Sequence, residues 1–262
     1  MNIEIIKAPT EEKPFLVIYK PKGLASAPLK EDDNENALAQ AISLYPEICL
    51  VQGKKNIEYG LLHRLDTATD GLMVIATRQE AYDFLSNEQS QGRFIKYYSA
   101  ECDISPDNAE LLTGFPPLSQ KMIYDFKNQT SQKILATSFF RPYGQGRKEV
   151  RPVTEESGKA ALSKLGKEKK YTTEITINLL DSKKALAECS IKEGYRHQVR
   201  CHLAWLGFPV AGDSLYNASE KVAQSDSDIK KAEKLLKFSA TKITFEYPRG
   251  DLNSYDRKDT WT

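Results

Sequence analysis

The alternation of polar and apolar residues in this chain of 262 residues is typical of an α+β fold on a mixed, largely antiparallel β-sheet. Stretches with the two-residue period of strands and stretches with the longer period of helices both recur, without the regular strand–helix–strand order of a parallel sheet. Consecutive strands joined by short turns favour antiparallel neighbours. No internal repeat and no linker-like segment divides the sequence, so we expect a single domain over residues 1–262, with helices flanking its sheet.

The first half of the chain contains elements with recognisable boundaries. The first predicted strand, Phe15–Tyr19, ends at the turn-forming residues Lys20-Pro21-Lys22-Gly23. A helix follows that ends at Pro46 and has an apolar stripe made of Leu38, Ala41, Ile42 and Tyr45. Further on, we predict a strand over 72–76, a helix that begins with a capping box at 77–80, and a strand over 94–100.

The second half is predicted to contain a strand pair, two helices and a closing strand. The strand pair covers 171–180 and 185–191, and the turn at 181–184 joins its members. The first helix extends from about Arg196 to Leu206, and the closing strand covers 242–247. The second helix is predicted by an apolar stripe of Val222, Ile229, Ala232, Leu235 and Leu236.

Composition restricts the classes of protein to which the chain can belong. With 37 basic and 36 acidic groups the net charge is +1, so affinity for nucleic acid has to come from local clusters of cations. No apolar run approaches the roughly 20 residues that span a bilayer, and no secretory signal is evident, so we expect a cytoplasmic protein and no membrane partner. The cysteines are widely spaced, which predicts neither a disulfide framework nor a metal site.

A short polar segment, residues 63–71, places one carboxylate between an arginine and an apolar run. Asp66 follows Arg64 by two positions and precedes the predicted strand over 72–76, so we expect it in a turn at the edge of that strand. A lone aspartate in a turn is usually a capped surface residue. The alternative is a reactive side chain that the strand holds rigidly at the surface.

A second cluster lies in the predicted helix that begins near residue 196. Arg196 and Arg200 are one helical turn apart and are expected to share a face, where two guanidinium groups require an anion. Phosphate and an ionised carboxylate both suit the fork of arginine. An arginine beside Asp66 would lower the pKa of that carboxyl by roughly 1 to 3 units and keep it anionic, as a nucleophile requires. A basic helix on the surface remains the alternative.

Taken in order, these segments resemble the motifs of the RluA-type pseudouridine synthases. The resemblance extends from about residue 15 to residue 248, and no single motif would be specific alone. The matching segments are 19–24, 62–71 with its His-Arg-Leu-Asp, 96–100, 196–204 with its His-Gln-Val-Arg, 207–213, and 238–245 with Pro248.

The resemblance implies an enzyme that isomerises uridine in RNA to pseudouridine at a central RNA-binding cleft. By position, Asp66 would be the catalytic carboxylate, Tyr98 the aromatic ring that stacks on the target base, and Arg200 the ion-pair partner of Asp66. Contacts with the RNA are expected from Arg64, Arg196 and His197. The alternative is a non-catalytic RNA-binding protein on the same fold.

The implied reaction breaks the bond from C1′ to N1 of uracil and forms one to C5, without net oxidation. We therefore expect no cofactor and no metal, a monomer, and rRNA or tRNA as the partner. Whether Asp66 attacks the sugar or first removes a proton from it stays open.

Three residues depart from the family pattern. Asp70 stands where serine is usual, Tyr195 where arginine is common, and Ser239 where many relatives have histidine. Like charges raise a pKa, so Asp70 is expected to face solvent or a cation if Asp66 is ionised. Many relatives carry an RNA-binding domain ahead of the first motif, and the segment before Phe15 is too short to form one.

The segment from Arg141 to Lys170 is the least regular part of the sequence, and we interpret it as a basic insertion. It contains nine lysines and arginines against four acidic residues, and Gly144–Lys148 is typical of an exposed loop. Two interpretations remain open: a solvated, flexible excursion, or an arm that contacts RNA and contributes to substrate choice.

Overall fold

The computed structural model describes residues 1–30, 33–104, 112–118, 130–217, 235–248 and 251–257. The chain forms two compact units: unit 1 comprises residues 1–97 and 239–262, and unit 2 comprises residues 98–238. Within the described residues, no helix is long and apolar enough to cross a membrane.

Strands outnumber helices in the described residues. The strands are β1 (Glu4–Lys7), β2 (Phe15–Lys20), β3 (Asp70–Ala76), β4 (Ile95–Asp103), β5 (Ser131–Tyr143), β6 (Glu149–Val153), β7 (Tyr171–Leu179), β8 (Lys184–Ile191), β9 (Phe238–Tyr247) and β10 (Asp251–Asp256). The α-helices are α1 (Ala37–Leu44), α2 (Gln79–Ser90), α3 (Lys159–Leu162) and α4 (Gln198–Trp205).

Unit 1 contains a mixed sheet. β1 pairs antiparallel with β2, and β2 pairs antiparallel with β3 from Phe15↔Ala76 to Lys20↔Gly71. Strands from late in the chain complete it: β9 runs parallel to β3, with Asp70 opposite Ser239, and β10 returns antiparallel along β9.

The parallel pair β3 and β9 approaches closely at Gly71. This residue has φ +132°, and an added Cβ would lie 2.2 Å from the carbonyl oxygen of Ala240. Glycine is therefore required here both for its backbone conformation and for the space it leaves.

The core of unit 1 lies between its sheet and α2. Ala81, Tyr82 and Leu85 of α2 pack with apolar residues of β2, β3 and β9. Their spacing of three to four residues puts them on one face of the helix. The rings of Phe94 and Phe245 stack at 5.0 Å, which continues this core.

Unit 2 contains a series of antiparallel strands. β8 pairs with β7, β7 with β5, and β5 with β6, while β4 lies next to β8. Cys201 and Ala204 of α4 pack in a cluster with Phe140, Val150 and Tyr171. This contact seats α4 against the β5–β6 hairpin and β7.

The predicted fold class is confirmed, because the described strand pairs are antiparallel apart from β3 with β9. The predicted strands correspond to β2, β3, β4, β7, β8 and β9, and three predicted helices correspond to α1, α2 and α4. The single-domain organisation over 1–262 stays a prediction. The apolar stripe at 222–232 lies outside the described residues, whereas Leu235 and Leu236 lie inside them.

Two local predictions are wrong. The capping box at 77–80 does not form, because the amide of Thr77 donates to the carbonyl of Pro14 at 2.9 Å and prolongs the β2–β3 pairing. The N-cap of α2 is Arg78, which makes no side-chain cap. The insertion at 141–170 is also more regular than expected, because its residues 149–153 form β6.

Candidate active site

Asp66 lies in a tight turn immediately before β3. The amide of Thr69 donates to the carbonyl of Asp66 at 3.0 Å and closes the turn. The Asp66 side chain is half-buried, whereas Thr67 is exposed. The turn therefore holds the carboxylate at the surface of unit 1 while the following strand is fully buried.

Residues 20–26, which we call the clamp segment, fix the backbone of this turn. The hydroxyl of Ser26 donates to the carbonyl of Leu65 at 2.7 Å and accepts from the amide of Leu65 at 2.9 Å. The amide of Gly23 donates to the carbonyl of Thr67 at 2.8 Å. Asp66 lies between these two anchored residues, so its backbone has little freedom.

Lys20 supplies a buried cation to the same turn. Its side chain is fully buried, and Nζ donates to the carbonyls of Leu24 at 2.8 Å, Pro21 at 3.1 Å and Thr67 at 3.4 Å. Burial lowers the pKa of Lys20 to about 8, against the opposite effect of the negative charges of Asp70 and Asp66. Sequence reasoning noticed Lys20 only as part of a turn and missed this role.

Asp70 faces one cation and two hydroxyl groups rather than solvent. Its buried carboxylate accepts hydrogen bonds from the hydroxyls of Tyr19 and Ser239, the latter at 2.7 Å, and lies 3.6 Å from Nζ of Lys22. Of the two surroundings expected for Asp70, solvent or a cation, the structure shows a cation. Two departures from the family pattern, Asp70 and Ser239, thus contact each other.

Burial raises the pKa of Tyr19, and its hydrogen bond to Asp70 acts in the same direction. Tyr19 is therefore a hydrogen-bond donor to Asp70 at neutral pH.

Two residues shortly before Asp66 differ in exposure and charge: Arg64 is an exposed cation, and His63 is a half-buried, neutral imidazole. Arg64 is exposed, and its guanidinium pairs with Glu58 at 3.0 Å. His63 accepts from the amide of Val74 at Nε2, at 3.3 Å. Burial, assisted by the charge of Lys96, lowers the pKa of His63 to about 3, so the ring is neutral. Two buried atoms near Asp66, His63 Nδ1 and Thr69 Oγ1, have no hydrogen-bond partner among the described residues.

In unit 2, Tyr98 is held by an aromatic neighbour. The side chain is buried in β4, with 8% of the residue exposed, and its ring stacks on Phe238 at 5.2 Å with an angle of 9°. This stack fixes the plane of the tyrosine ring.

Arg200 forms a buried bidentate ion pair. Its Nε and Nη2 donate to the two carboxylate oxygens of Asp213, each at 2.7 Å. Asp213 is fully buried and also accepts from the amides of Leu215 and Tyr216, at 3.0 and 3.1 Å. The sequence left two kinds of anion open as partners of Arg200, a phosphate and a carboxylate. The structure shows a carboxylate, and it comes from Asp213 of the same unit. The pairing of Arg200 with Asp66, which belongs to unit 1, stays a prediction.

The expectation that Arg196 and Arg200 share a helical face is wrong. His197 has φ 56°, in the left-handed region, and α4 begins only at Gln198. Arg196 is consequently exposed outside the helix, where its guanidinium donates to the carbonyls of Arg147 at 2.5 Å and Glu149 at 3.1 Å. Contacts of Arg64, Arg196 and His197 with RNA stay predictions.

The turn that follows α4, residues 211–217, contributes two residues whose roles sequence reasoning missed. Asp213 holds Arg200, and the hydroxyl of Tyr216 lies 3.1 Å from Nδ1 of His197. Arg200 was the available signal for Asp213, because a guanidinium group inside a protein needs an anion close by. The described part of the chain contains no cluster of three or more His, Cys, Asp or Glu side chains that could hold a metal ion.

The chain is similar in sequence to known RNA pseudouridine synthases. The family model described as RNA pseudouridylate synthase matches residues 14–205. The chain is 26% identical over 212 residues to the uncharacterized RNA pseudouridine synthase YhcT of Bacillus subtilis, covering 81% of this chain and 58% of the relative. It is 29% identical over 212 residues to the uncharacterized RNA pseudouridine synthase MG209 of Mycoplasma genitalium, covering 80% of this chain and 55% of the relative.

The chain thus spans less than two thirds of the length of these two relatives. It covers 81% of the dual-specificity RNA pseudouridine synthase RluA of Escherichia coli, to which it is 26% identical over 222 residues, or 84% of this chain.

Two solved structures share the fold. Human RNA pseudouridylate synthase domain containing 1 superposes with a TM-score of 0.61 at 15% identity, over 100% of this chain and 85% of that one. Human RNA pseudouridylate synthase domain containing 4 gives 0.58 at 18% identity, over 95% and 87%. The chain belongs to the RNA pseudouridylate synthase family.

Proposed function

We propose that this protein isomerises uridine in structured RNA to pseudouridine, with Asp66 as the catalytic carboxylate. The observation that carries the proposal is the anchored turn of unit 1. Asp66 is half-buried, its neighbours Leu65 and Thr67 are tied to the clamp segment, and the electrostatic field of the buried Lys20 favours its ionised form. Attack on the sugar and removal of a proton from it both require an anionic carboxylate in a fixed position.

Other residues would bind and hold the flipped nucleotide. Extruding a base from a stacked helix costs a few kcal/mol, and stacking on a tyrosine returns about 1 to 3 kcal/mol. In this proposal the target base stacks on Tyr98, whose ring plane is fixed by the stack with Phe238. In this proposal Arg200 is the ion-pair partner of Asp66, and contacts with the RNA come from Arg64, Arg196 and His197.

The proposal also covers the RNA substrate, the cellular location and the oligomeric state of the protein. The RNA is an rRNA or tRNA, the protein acts as a cytoplasmic monomer in a single domain, and the isomerisation proceeds without a metal or cofactor. The exposed loop at 144–148, which carries Arg147 and Lys148, is the part of the basic insertion best placed to contact a phosphate backbone.

Release of tritium from RNA that contains 5-tritiated uridine tests the reaction, because bond formation at C5 displaces that hydrogen. The RNA is transcribed in vitro and so lacks pseudouridine. We expect release with the wild type and a fall of at least about 100-fold for Asp66→Asn, with RNA binding retained. Asp83→Asn, an exposed change on α2, serves as the matched control.

A wild type that binds rRNA or tRNA but releases no tritium would contradict the proposal and favour the non-catalytic RNA-binding alternative. Equal release by Asp66→Asn and the wild type would contradict the assignment of Asp66.

A further inference from the structure

Tyr216 is buried beside the left-handed residue that precedes α4. Only 1% of this tyrosine is exposed. Its hydroxyl oxygen lies 2.9 Å from the amide nitrogen of Val150 and 3.1 Å from Nδ1 of His197. Among the described residues these are the hydrogen-bond partners of the hydroxyl.

The direction of each hydrogen bond follows from the donors available. The amide of Val150 can only donate, so the phenol oxygen accepts from it. Burial raises the pKa of Tyr216 well above its ordinary value, so the phenol keeps its proton at neutral pH. A buried hydroxyl proton needs an acceptor, and Nδ1 of His197 is the one within reach. His197 Nδ1 is then unprotonated, and a neutral imidazole carries its proton on Nε2.

We propose that Tyr216 is a positioning residue that fixes His197 in its neutral Nε2–H tautomer, so that the imidazole meets the RNA as a hydrogen-bond donor through Nε2. The role in RNA recognition rests on the function proposed above, whereas the tautomer does not. The acceptor is an oxygen atom of the nucleic acid.

The backbone conformation of His197 helps to fix the position of its imidazole ring. At φ 56° the residue occupies a conformation that few side chains other than glycine, asparagine, aspartate and histidine adopt readily. The left-handed turn sets the direction of the Cα–Cβ bond, and the bond from Tyr216 sets the rotation of the ring. Together they determine where Nε2 lies.

The tautomer is measured directly by NMR of protein labelled with 15N-histidine. The chain contains three histidines, so the spectrum is simple to assign. His63 accepts from Val74 at Nε2 and is therefore expected as the Nδ1–H tautomer, an internal reference of opposite type. We expect His197 as Nε2–H in the wild type and as a mixture of both tautomers in Tyr216→Phe.

Tyr171→Phe is the matched control, because it removes the hydroxyl of another buried tyrosine of the same unit. It should leave the His197 signals unchanged. An Nδ1–H tautomer in the wild type, or His197 signals that do not respond to Tyr216→Phe, would overturn the proposal whether or not the protein isomerises uridine.

Two substitutions of His197 test the donor. The amide nitrogen of glutamine reaches the position of Nε2, whereas that of asparagine reaches only the position of Nδ1. If Nε2–H contacts RNA, His197→Asn should lower kcat/KM by roughly 3- to 10-fold more than His197→Gln does, the worth of one hydrogen bond.

A role confined to the backbone predicts the reverse order, because asparagine tolerates the left-handed conformation better than glutamine. That order would overturn the donor role. If the wild type itself shows no turnover, the same pair of variants is compared by RNA affinity, so failure of the proposed function and failure of this inference stay distinguishable.

Discussion

The buried carboxylate of Asp70 accepts hydrogen bonds from two hydroxyls and faces one ammonium group. Removing it in Asp70→Ala leaves Tyr19, Ser239 and Lys22 without that acceptor. We expect the free energy of unfolding to fall by about 2 to 4 kcal/mol in urea denaturation. Asp83→Ala, exposed on α2, should change it by less than about 0.5 kcal/mol. Equal effects of the two variants would show that the Asp70 cluster does not stabilise unit 1.

The fully buried His202 makes stability depend on pH. Burial lowers its pKa to about 3 from an ordinary value of 6.5, and its ring nitrogens contact the hydroxyls of Thr173 at 2.8 Å and Ser138 at 3.0 Å. His202 is therefore protonated near pH 6.5 in the unfolded chain but only near pH 3 in the folded chain. The contribution of neutral His202 is fully present above pH 6.5 and is lost progressively as the pH falls through this window.

Below its ordinary pKa, each such histidine makes the free energy of unfolding fall with decreasing pH, with a slope that approaches about 1.4 kcal/mol per pH unit. His63 acts in the same direction. Urea denaturation between pH 7 and pH 5, above the range in which ordinary carboxyl groups titrate, measures the slope. His202→Gln should have a smaller slope than the wild type, and an unchanged slope would contradict the assignment.

For individual residues, the sequence indicates which side chains are candidates for the site but not which side chains pair with each other. Asp66, Tyr98 and Arg200 stand out through the family resemblance and through the need of arginine for an anion. The partners Asp213 and Ser239 lie 13 and 169 residues away from Arg200 and Asp70, and local periodicity carries no information about such distant pairs. Only the fold brings them together.

Among the elements, β3 and β9 have the least tolerance for change, because Gly71 admits no side chain. In Gly71→Ala the new Cβ would meet Ala240 backbone at 2.2 Å, at a φ that alanine avoids. We expect a loss of at least about 3 kcal/mol in the free energy of unfolding. Gly158→Ala, which has open space around its Cβ, should cost less than about 1 kcal/mol. Similar thermal unfolding of both variants would contradict the close approach.

The sequence pattern indicated several of the strands but did not indicate β6. β6 contains the buried Arg151, whose guanidinium lies 4.2 Å from the ring of Tyr143 and 4.9 Å from that of Phe115. Such a residue is typical of an exposed loop when only the sequence is available, which explains why β6 was missed. The start of α4 was misplaced because a left-handed residue other than glycine leaves little trace in a sequence.

For the molecule as a whole, a net charge of +1 means that RNA affinity depends on where the cations cluster. The double variant Arg147→Glu/Lys148→Glu changes two exposed residues of the basic insertion. If both contact phosphates, RNA affinity should fall and the slope of log affinity against log salt should decrease by about 2.

The control for this prediction is Lys30→Glu/Lys54→Glu, which makes the same charge change at exposed positions of unit 1. Filter binding at several salt concentrations provides the comparison. Equal slopes for the two double variants would mean that the insertion is a solvated excursion, as the alternative interpretation holds.

The parallel pairing of β3 with β9 also has a consequence for biosynthesis. Ser239 is translated 169 residues after Asp70, which at about 5 to 20 residues per second is an interval of roughly 10 to 30 seconds. During that time the edge of β3 lacks its partner strand, and the nascent chain has to be protected from pairing with other exposed edges. We therefore expect unit 1 to complete its sheet only after β9 has been translated, so that a nascent chain that stops short of Ser239 leaves the buried carboxylate of Asp70 without its Ser239 partner.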